Sequence, residues 1–501
     1  MKQTNYALLI LLSGLVCFGS VLSSCSVSKY NSENKYSPQK LQNDFSIFRG
    51  ALEESHPSLY WFTPKSSMDS AFNEGYDELK DSLTEREFRT KLLRIVSAIR
   101  CGHTSVSFSK KYSRYLDTAG IDLFPLALKV LKDSLVVTGN LIKTDSTLHR
   151  GTIITSINNR SSKYLIDTFF NYITGDGHSI AGKYQSLSSF GTFGVMYKNL
   201  YGFPDSFTIH YLNEEGGENE VILPVFKPIK LSPDKSDSLK SEKYTAKERR
   251  NIFSYSSRSL QVDTTLHSGY MILNTFAAGN GIRKFIKKSF KNTNRLNLQH
   301  LVIDVRSNGG GDAGISTLLS RYLTDHSFII ADSLYAKKRS SRYRRYIRWQ
   351  RVYWLMAAVI TRKHKDGNFH FGYFERHRYK PFRRHHFKGN IYILTGGNSF
   401  SATTLFIQQL KGQSNVKIIG EETGGGAYGN TAWMIPELTL PYTGIRIGIP
   451  KFRFVMRPEL VKEARGVLPD VFVAPTAEDI RKGIDVKVEA ARQMIMKANG
   501  Y

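Results

Sequence analysis

A chain of 501 residues is too long to fold around a single hydrophobic core, so we expect two or three domains. Apolar residues make up 41% of the chain and aromatic residues 12%, a composition that excludes an intrinsically disordered protein. The formal net charge of +27 is concentrated in residues 337–388, where 17 Lys and Arg accompany only Asp366 and Glu375. This segment therefore favours an anionic partner.

Residues 1–25 have the pattern of a targeting segment. Lys2 precedes an apolar run over residues 6–21, and the segment closes with Leu-Ser-Ser-Cys at 22–25. Small residues directly before a cysteine resemble a bacterial lipobox, in which Cys25 is lipidated and becomes the new N-terminus; an ordinary signal peptide is the alternative. No other apolar run reaches the roughly 18–20 residues needed to span a bilayer. After processing, only Cys25 and Cys101 remain, so we expect no intramolecular disulfide.

Residues 26–36 are polar and predict a tether, and residues 37–110 predict a helical N-terminal unit. Within this unit, apolar residues recur at spacings of three and four, which is the period of a helix with one buried face. The two sets are Leu41, Phe45, Phe48 and Leu52, and Phe88, Leu92, Ile95 and Ile99.

Residues 120–230 predict a β-rich domain. Two β-rich runs, at residues 135–139 and 152–159, are bounded by turn residues. The second run and a predicted helix at 164–173 resemble the strand, turn and helix of a PDZ-like domain; a generic hairpin in a larger sheet is the alternative. The polar residues 231–262 then predict a linker.

Residues 263–480 predict an α/β core. Strands alternate with helices, which implies a mostly parallel sheet with right-handed crossovers. The predicted strands are 270–274, 301–305, 391–395 and 416–419, and the predicted helices are 282–290, 314–323 and 401–410. With a C-terminal helix in residues 481–501, the chain is predicted to be an α+β multidomain protein.

Ser401 follows a predicted strand that turns through Gly396 and Gly397 into a helix. A hydroxyl at the start of a helix lies beside backbone N–H groups that no helical carbonyl accepts, and this favours a serine nucleophile. A simple helix N-cap is the alternative role of Ser401.

Two further segments suit such a nucleophile. His103, within Gly-His-Thr at 102–104, can take and return a proton near neutral pH; a structural histidine is the alternative. At residues 304–312 a buried strand runs into Gly309, Gly310 and Gly311, whose N–H groups can point at a developing oxyanion. A phosphate cradle is the alternative there, but the run lacks both the P-loop ending and the GxGxxG spacing.

Together these segments resemble the tail-specific, or C-terminal-processing, serine proteases, a family that also includes the tricorn core protease. The resemblance rests on four segments in the family's order. They are Asp-Val-Arg-Ser-Asn-Gly-Gly-Gly at 304–311, Ser-Ala at 401–402, Gly-Glu-Glu-Thr-Gly at 420–424 and Gly-Val-Leu-Pro-Asp at 466–470. Members with a Ser-Lys dyad carry the lysine at the position of Gly426, so this chain resembles the tricorn-like branch, in which a histidine activates the serine.

The resemblance implies a ClpP/crotonase-like core and a serine peptidase that needs no metal or organic cofactor. It implies that Ser401 attacks a peptide carbonyl and that His103 accepts the serine proton. Glu463 would orient the imidazole, with Glu459 as the fallback, although a solvated loop acid is the alternative role of Glu463. Many relatives carry Asp in place of Cys101, which leaves the hydrogen bonding around the histidine open.

The resemblance also implies an oxyanion hole. Its predicted donors are the N–H groups of Gly310 and Ala402, with Gly309 or Gly311 as alternatives to Gly310.

The basic insert, residues 337–388, contains a predicted amphipathic helix. At about 100° per residue, four arginines fall on one side and six apolar residues on the other. The arginines are Arg344, Arg345, Arg348 and Arg351, and the apolar residues are Tyr343, Tyr346, Ile347, Trp349, Tyr353 and Trp354. We expect residues 339–363 to form an interfacial helix or a lid that contacts anionic lipid; packing of the apolar side on the core is the alternative. We expect no nucleic-acid partner.

The sequence as a whole predicts a lipid-anchored serine endopeptidase of the bacterial cell envelope, either periplasm-facing or an outer-membrane lipoprotein. Its expected substrates are unfolded or C-terminally exposed exported polypeptides. Two alternatives come from other classes: a non-catalytic peptide- or ligand-binding lipoprotein on the same fold, and an envelope scaffold that holds anionic glycans. His103 and Glu463 favour the peptidase, because a binding protein needs neither.

Overall fold

The computed structural model describes residues 30–228, 252, 256–279 and 281–501. The predicted targeting segment with Cys25, residues 26–29 of the tether and most of the predicted linker therefore lie outside the described residues. Among the described residues, no helix combines the length and the apolar character needed to cross a bilayer.

The N-terminal part of the chain is helical. Its elements are β1 (Lys35–Tyr36), α1 (Pro38–Ser55), α2 (Lys65–Asp77), β2 (Leu83–Thr84), α3 (Glu85–Ala98), β3 (Ser105–Ser107) and α4 (Lys110–Thr118). The side chain of Thr84 and that of Glu87 form a capping box that starts α3. All eight apolar residues of the two predicted sets are buried, which confirms the helical periodicity.

A second unit consists of antiparallel strands with three helices. Its elements are β4 (Leu126–Leu131), β5 (Ser134–Asn140), β6 (Ile153–Ile157), β7 (Arg160–Ser161), α5 (Ser162–Phe170), α6 (Ala181–Leu187), α7 (Thr192–Tyr201), β8 (Ser206–Leu212) and β9 (Glu218–Pro224). The strand order is β4-β5-β6-β8-β9, with β7 paired to β6. Buried and partly exposed residues alternate along β4, as expected for a strand with one face on a core.

The first half of the core contains β10 (Arg258–Asp263), β11 (Ser268–Leu273), α8 (Ile282–Arg295), β12 (His300–Asp304) and α9 (Ala313–Leu323). All five residues of β12 are buried, as in a strand covered on both faces. Strand β13 (Ser333–Ala336) precedes the basic insert. The insert contains α10 (Gln350–Ile360), β14 (Arg362–Lys363), β15 (Phe369–His370) and α11 (Gly372–Arg376).

The predicted single helix across residues 343–354 is wrong. A short 3₁₀ turn at Arg344–Tyr346 is separated from α10 by Trp349, whose φ of 59° breaks the helix. The two sides predicted for one helix therefore do not exist. Tyr343, Tyr346 and Ile347 pack against the N-terminal helices, whereas Trp349 is exposed.

The remaining elements complete the sheets. They are β16 (Asn390–Thr395), α12 (Ala402–Leu410), β17 (Val416–Gly420), β18 (Gly429–Ala432), β19 (Glu437–Thr439), β20 (Arg446–Gly448), β21 (Phe452–Val455), β22 (Val471–Phe472), α13 (Ala477–Lys482) and α14 (Val486–Ala498). The central sheet has the order β10-β11-β12-β16-β17-β22. Its pairings are parallel except β10 with β11, so the predicted mostly parallel sheet is confirmed. The fold is mixed α+β with several sheets.

One strand pairing brings the start of the chain to the core. Strand β3 pairs antiparallel with β20, and Val106 lies opposite Ile447. Because residues 99–104 connect α3 to β3, this pairing holds the turn that carries His103 against the core.

Candidate active site

Ser401 lies at a sharp turn between the central sheet and a helix. Strand β16 ends at Thr395 and α12 begins at Ala402. Ser401 has φ 55° and ψ −124°, a conformation that residues other than glycine rarely adopt. Its side chain makes no capping hydrogen bond to α12, so the N-cap alternative is wrong. The turn instead presents the hydroxyl to the neighbouring loops.

Two hydrogen bonds join this turn to the end of the adjacent strand. The hydroxyl of Ser399 donates to the carbonyl of Val305 at 2.9 Å. The N–H of Phe400 donates to the carbonyl of Asn308 at 3.2 Å. Since β12 and β16 are parallel neighbours, the serine turn and the glycine run lie at the same edge of the sheet.

His103 lies beside Ser401. The distance between His103 Nε2 and Ser401 Oγ is 3.1 Å, although 298 positions separate the two residues in the sequence. The imidazole also packs against the ring of Phe400, with 4.8 Å between the ring centroids. The structure therefore brings together the predicted nucleophile and the predicted base.

The environment of His103 favours the neutral imidazole. Burial lowers the pKa of His103 to about 4, so the ring can accept a proton at neutral pH. To accept through Nε2, the ring must carry its own proton on Nδ1. However, Nδ1 is buried without a hydrogen-bond partner. In this conformation no carboxylate of the described residues is hydrogen-bonded to the ring to stabilise the imidazolium that proton transfer would form.

The structure does not bring Glu463 or Glu459 to this nitrogen. Both residues are exposed. The chain turns directly after Glu463 at Ala464, which has a φ of 52° and is fully buried. This turn holds the preceding side chain in solvent. The orienting role of Glu463, or of the fallback Glu459, stays a prediction, which requires a movement of the side chain toward Nδ1.

Gly310 packs directly on the serine turn. A Cβ at Gly310 would lie 2.7 Å from Ser401 Cβ and 3.0 Å from the nitrogen of Ala402. Its N–H, however, donates to Asn308 Oδ1 at 2.9 Å, so this predicted oxyanion donor is engaged inside its own turn. Ala402 is the first residue of α12, and its N–H has no acceptor within the helix.

The two alternative glycines differ in their surroundings. Gly311 packs on backbone away from the serine, because a Cβ there would lie 2.4 Å from Phe276 C. Gly309 is exposed, and a Cβ there would meet nothing within 4 Å. Of the glycine run, Gly309 is therefore the residue with open space beside it.

The family model for Peptidase family S41 matches residues 267–473. Residues 267–473 are therefore a peptidase family S41 domain. The enzyme is therefore a serine-type peptidase, as predicted. The matched residues include Ser401 and Gly310 but not His103. No curated protein matches the chain.

Solved structures share the fold of this enzyme. Mature CPAF complexed with lactacystin has a TM-score of 0.60 and 14% identity, over 92% of this chain and 98% of that chain. A second structure of mature CPAF has a TM-score of 0.59 and 13% identity, over 91% and 96%. The photosystem II D1 C-terminal processing protease has a TM-score of 0.40 and 12% identity, over 91% and 97%. At these identities the CPAF structures show a common fold.

The enzyme has no room for a lysine at Gly426. A Cβ at this position would lie 2.5 Å from the ring of Tyr428 and 2.8 Å from the carbonyl of Gly429. Tyr428 is itself only 1% exposed and has little space to move. Gly426 is also bridged to Gly466 as an antiparallel pair. The packing is thus consistent with an enzyme that lacks the lysine of a Ser-Lys dyad.

Asn308, which the sequence analysis did not single out, connects the parts of the site. It is fully buried, and its Nδ2 donates to the carbonyl of Leu273 at 3.0 Å. Its Oδ1 and its carbonyl accept from Gly310 and Phe400 respectively. The available indication was its position directly before three glycines, where a buried amide can satisfy turn N–H groups.

The segments at 420–424 and 466–470 are hydrogen-bonded to each other. Glu422 Oε1 accepts from the N–H of Gly466 at 2.7 Å, and Thr423 Oγ1 accepts from the N–H of Val467 at 2.8 Å. Asp470 Oδ2 accepts from the N–H of Ile418 in β17 at 2.8 Å. The two segments therefore pack on each other and on β17.

Asp176 is a second residue that the sequence analysis missed. It is 2% exposed, and its Oδ1 accepts from the N–H of Gly102 at 2.7 Å, directly before His103. The next N–H, from Gly177, donates to the carbonyl of Arg100 at 3.0 Å. Loop 171–180 of the second unit thus holds the histidine turn in place. No pattern in the sequence links this aspartate to residue 102.

We expect Asp176→Asn to stabilise the enzyme increasingly as pH rises. Burial raises the pKa of Asp176 to about 7, while N–H groups of Gly102 and Gly426 oppose the shift. Because the pKa of Asp176 is higher in the folded state than in the unfolded state, its contribution to stability is fully present below the unfolded-state pKa. That contribution is lost as pH rises through 7. Asparagine keeps an acceptor for the N–H of Gly102 and does not ionise. At pH 8 the free energy of unfolding of the variant should therefore exceed that of the wild type by up to about 4 kcal/mol.

Urea unfolding of both proteins at pH 5, 6, 7 and 8 measures this difference. The neighbouring groups Cys101 and Tyr428 stay neutral over this range, because burial raises the pKa of Cys101 to about 12 and that of Tyr428 well above its ordinary value. A difference that is constant across the four pH values would show that Asp176 does not titrate there.

Cys101 is a free thiol within the N-terminal core. Its Sγ lies 3.6 Å from the carbonyl of Thr431. Across the described part of the chain, no three His, Cys, Asp or Glu side chains converge closely enough to bind a metal ion.

Proposed function

We propose that the enzyme is a serine endopeptidase in which Ser401 is the nucleophile and His103 is the general base. The observation that carries this proposal is the 3.1 Å contact between His103 Nε2 and Ser401 Oγ, made by a serine in a strained turn. A serine hydroxyl is a weak nucleophile unless an adjacent base takes its proton. The lowered pKa of His103 supports the role, since a protonated imidazole cannot accept.

In the proposed reaction, Ser401 Oγ bonds to the carbonyl carbon of the substrate while its proton moves to His103 Nε2. The carbonyl oxygen becomes an oxyanion that accepts from the N–H of Ala402 and from the glycine run. Gly309 supplies the second donor in this proposal, because the N–H of Gly310 already donates to Asn308. His103 then protonates the leaving amine, and water releases the acyl group by the same steps.

Cleavage of an unfolded, fluorescently labelled polypeptide tests this proposal. We expect Ser401→Ala to lower kcat by about 10⁴-fold or more, because the covalent step is lost. Ser307→Ala is the matched control, since it removes an exposed hydroxyl in the adjacent turn. Equal cleavage by the wild type and Ser401→Ala would contradict the role of Ser401. Binding without cleavage by both would favour the non-catalytic binding protein.

We propose that residues 120–230 act as a PDZ-like domain that recognises the C-terminus of the polypeptide. The support is the arrangement of a small antiparallel sheet with helix α5 after β7, and the contact of its loop 171–180 with the histidine turn. Substrates that differ only by a C-terminal amide or a three-residue truncation test this role. An unchanged KM for all three substrates would exclude C-terminal recognition.

We propose that the enzyme is a lipoprotein of the bacterial cell envelope, anchored through Cys25. The support is the lipobox-like pattern at residues 22–25. Mass spectrometry of the mature N-terminal peptide and fractionation of Cys25→Ser cells test the anchor. An unlipidated Cys25, or a variant that remains with the membranes, would contradict it.

A further inference from the structure

Helix α10 of the basic insert exposes an apolar stripe to solvent. Four apolar residues on the helix are spaced i, i+3, i+4 and i+7, so they lie on one face. This outer stripe consists of Val352 (48% exposed), Leu355 (58%), Met356 (48%) and Val359 (66%). A stripe with this spacing ordinarily faces a protein core. Here the opposite face of the helix, at Ala357, is the buried one.

Two tryptophans of the same segment are exposed. Trp349, directly before α10, is 64% exposed, and Trp354 within the helix is 49% exposed. A large aromatic side chain with an N–H group is favoured where an apolar region meets water, as at the surface of a bilayer. Trp349 therefore lies at the N-terminal end of the outer stripe, whereas Trp354 lies on the other side of α10, about 200° from Val352.

Arginines surround this apolar surface. The arginine cluster consists of Arg344, Arg345, Arg348 and Arg351, and all four side chains are exposed. Among the described residues, none of the four makes an ion pair with a carboxylate. Arg348 and Arg345 instead lie over the rings of Trp349 and Tyr346, at 5.5 Å and 4.6 Å from the ring centroids. Their charge is available to an anionic partner.

The insert is held firmly at its inner side. Ile347 is 9% exposed and is bridged to Leu438, while Ser341 Oγ donates to Glu54 at 2.6 Å. At the other end of α10, Arg339 Nε donates to Thr361 Oγ1 at 3.0 Å. Contacts before and after α10 thus hold the helix in the orientation in which the outer stripe faces solvent.

We propose that the outer stripe and the arginine cluster dock the enzyme on the surface of an anionic lipid bilayer. The apolar side chains would enter the boundary between headgroups and acyl chains, and the arginines would lie at the phosphates. Charge complementarity favours lipid over a second copy of this chain, because two copies of so basic a surface repel each other. The proposal is independent of peptidase activity and of the lipid on Cys25.

Quenching of tryptophan fluorescence by brominated lipid tests this docking with the full chain. The vesicles are brominated phosphatidylcholine, alone or with phosphatidylglycerol at 3:1. We expect quenching in the anionic vesicles, and we expect Trp349→Phe/Trp354→Phe to abolish it. The two other tryptophans of the chain, Trp61 and Trp433, remain as internal references. Quenching that persists in the double variant would overturn the proposal, because it would come from another part of the chain.

Surface variants separate the apolar and the charged contributions. We expect Val352→Asp/Val359→Asp to weaken binding to the anionic vesicles about tenfold or more. Each Arg→Gln change in the cluster should weaken it about fivefold and leave binding to phosphatidylcholine unchanged. Ile222→Asp is the matched control, since Ile222 is 62% exposed on β9. Wild-type binding by the Val352→Asp/Val359→Asp variant would overturn the proposal, as would lipid-free self-association that this variant abolishes.

Discussion

His103→Ala should lower kcat by about 10²–10⁴-fold and leave KM nearly unchanged. The imidazole is the only basic side chain within hydrogen-bonding distance of Ser401 Oγ among the described residues. Without it the hydroxyl must lose its proton to water, which is a much weaker base. Because the ring also packs on Phe400, circular dichroism and urea unfolding of the variant must show that the fold is kept.

The pH dependence of kcat/KM provides a second measurement of the same role. Only the neutral imidazole accepts a proton, so activity falls as pH drops through the pKa of His103. Burial lowers that pKa to about 4, and the acidic limb should therefore lie below pH 5 rather than near 6.5. An acidic limb near pH 6.5 would show that His103 is solvated or paired with a carboxylate in the working enzyme.

Glu463→Gln is the matched control for the histidine variant. The side chain is exposed, and the resting structure does not bring it to Nδ1 of His103. We expect kcat within about twofold of the wild type, as for a surface substitution. A loss comparable to that of His103→Ala would show that Glu463 moves to the imidazole during the reaction.

Local patterns were sufficient to predict the strand, turn and helix around Ser401. The apolar run at 391–395, the two glycines and the following helical residues act over a few positions, and each favours its element independently of the rest of the chain. The contact with His103 could not be derived in this way. It depends on the pairing of β3 with β20, which joins segments more than three hundred residues apart.

Other features of the site depend on single backbone angles. The direction of the Glu463 side chain depends on the positive φ of Ala464. Alanine rarely adopts a positive φ, so the sequence does not predict this turn. The engagement of the Gly310 N–H follows from the rotamer of Asn308. The apolar spacing along α10 is similarly ambiguous. Periodicity identifies an apolar face of the helix, but it does not show whether that face packs on the protein core or faces solvent.

Gly310→Ala should impair both stability and activity, whereas Gly309→Ala should leave stability near that of the wild type. The added methyl group at Gly310 would lie 2.7 Å from Ser401 Cβ and 2.8 Å from the carbonyl of Phe400. Gly310 also has a φ of 100°, which an alanine tolerates poorly. Overpacking and backbone strain together predict a loss of about 2–5 kcal/mol in the free energy of unfolding. Displacement of the serine turn by about 1 Å predicts a loss of roughly 10²-fold in kcat/KM.

Gly309→Ala is a close control because it changes the neighbouring glycine in the same turn, where the methyl group meets open space. The free energy of urea unfolding should stay near wild type, with a change of about 0.5 kcal/mol or less. If Gly310→Ala fails through its contact with the serine, then Gly310→Ala/Ser401→Gly should regain part of the lost stability, since it removes the nearest atom. A coupling energy of about 1 kcal/mol or more between the two positions would establish that contact. Strictly additive losses would instead assign the whole effect to the backbone angle of Gly310, and the close packing of the glycine run on the nucleophile would then not constrain this enzyme.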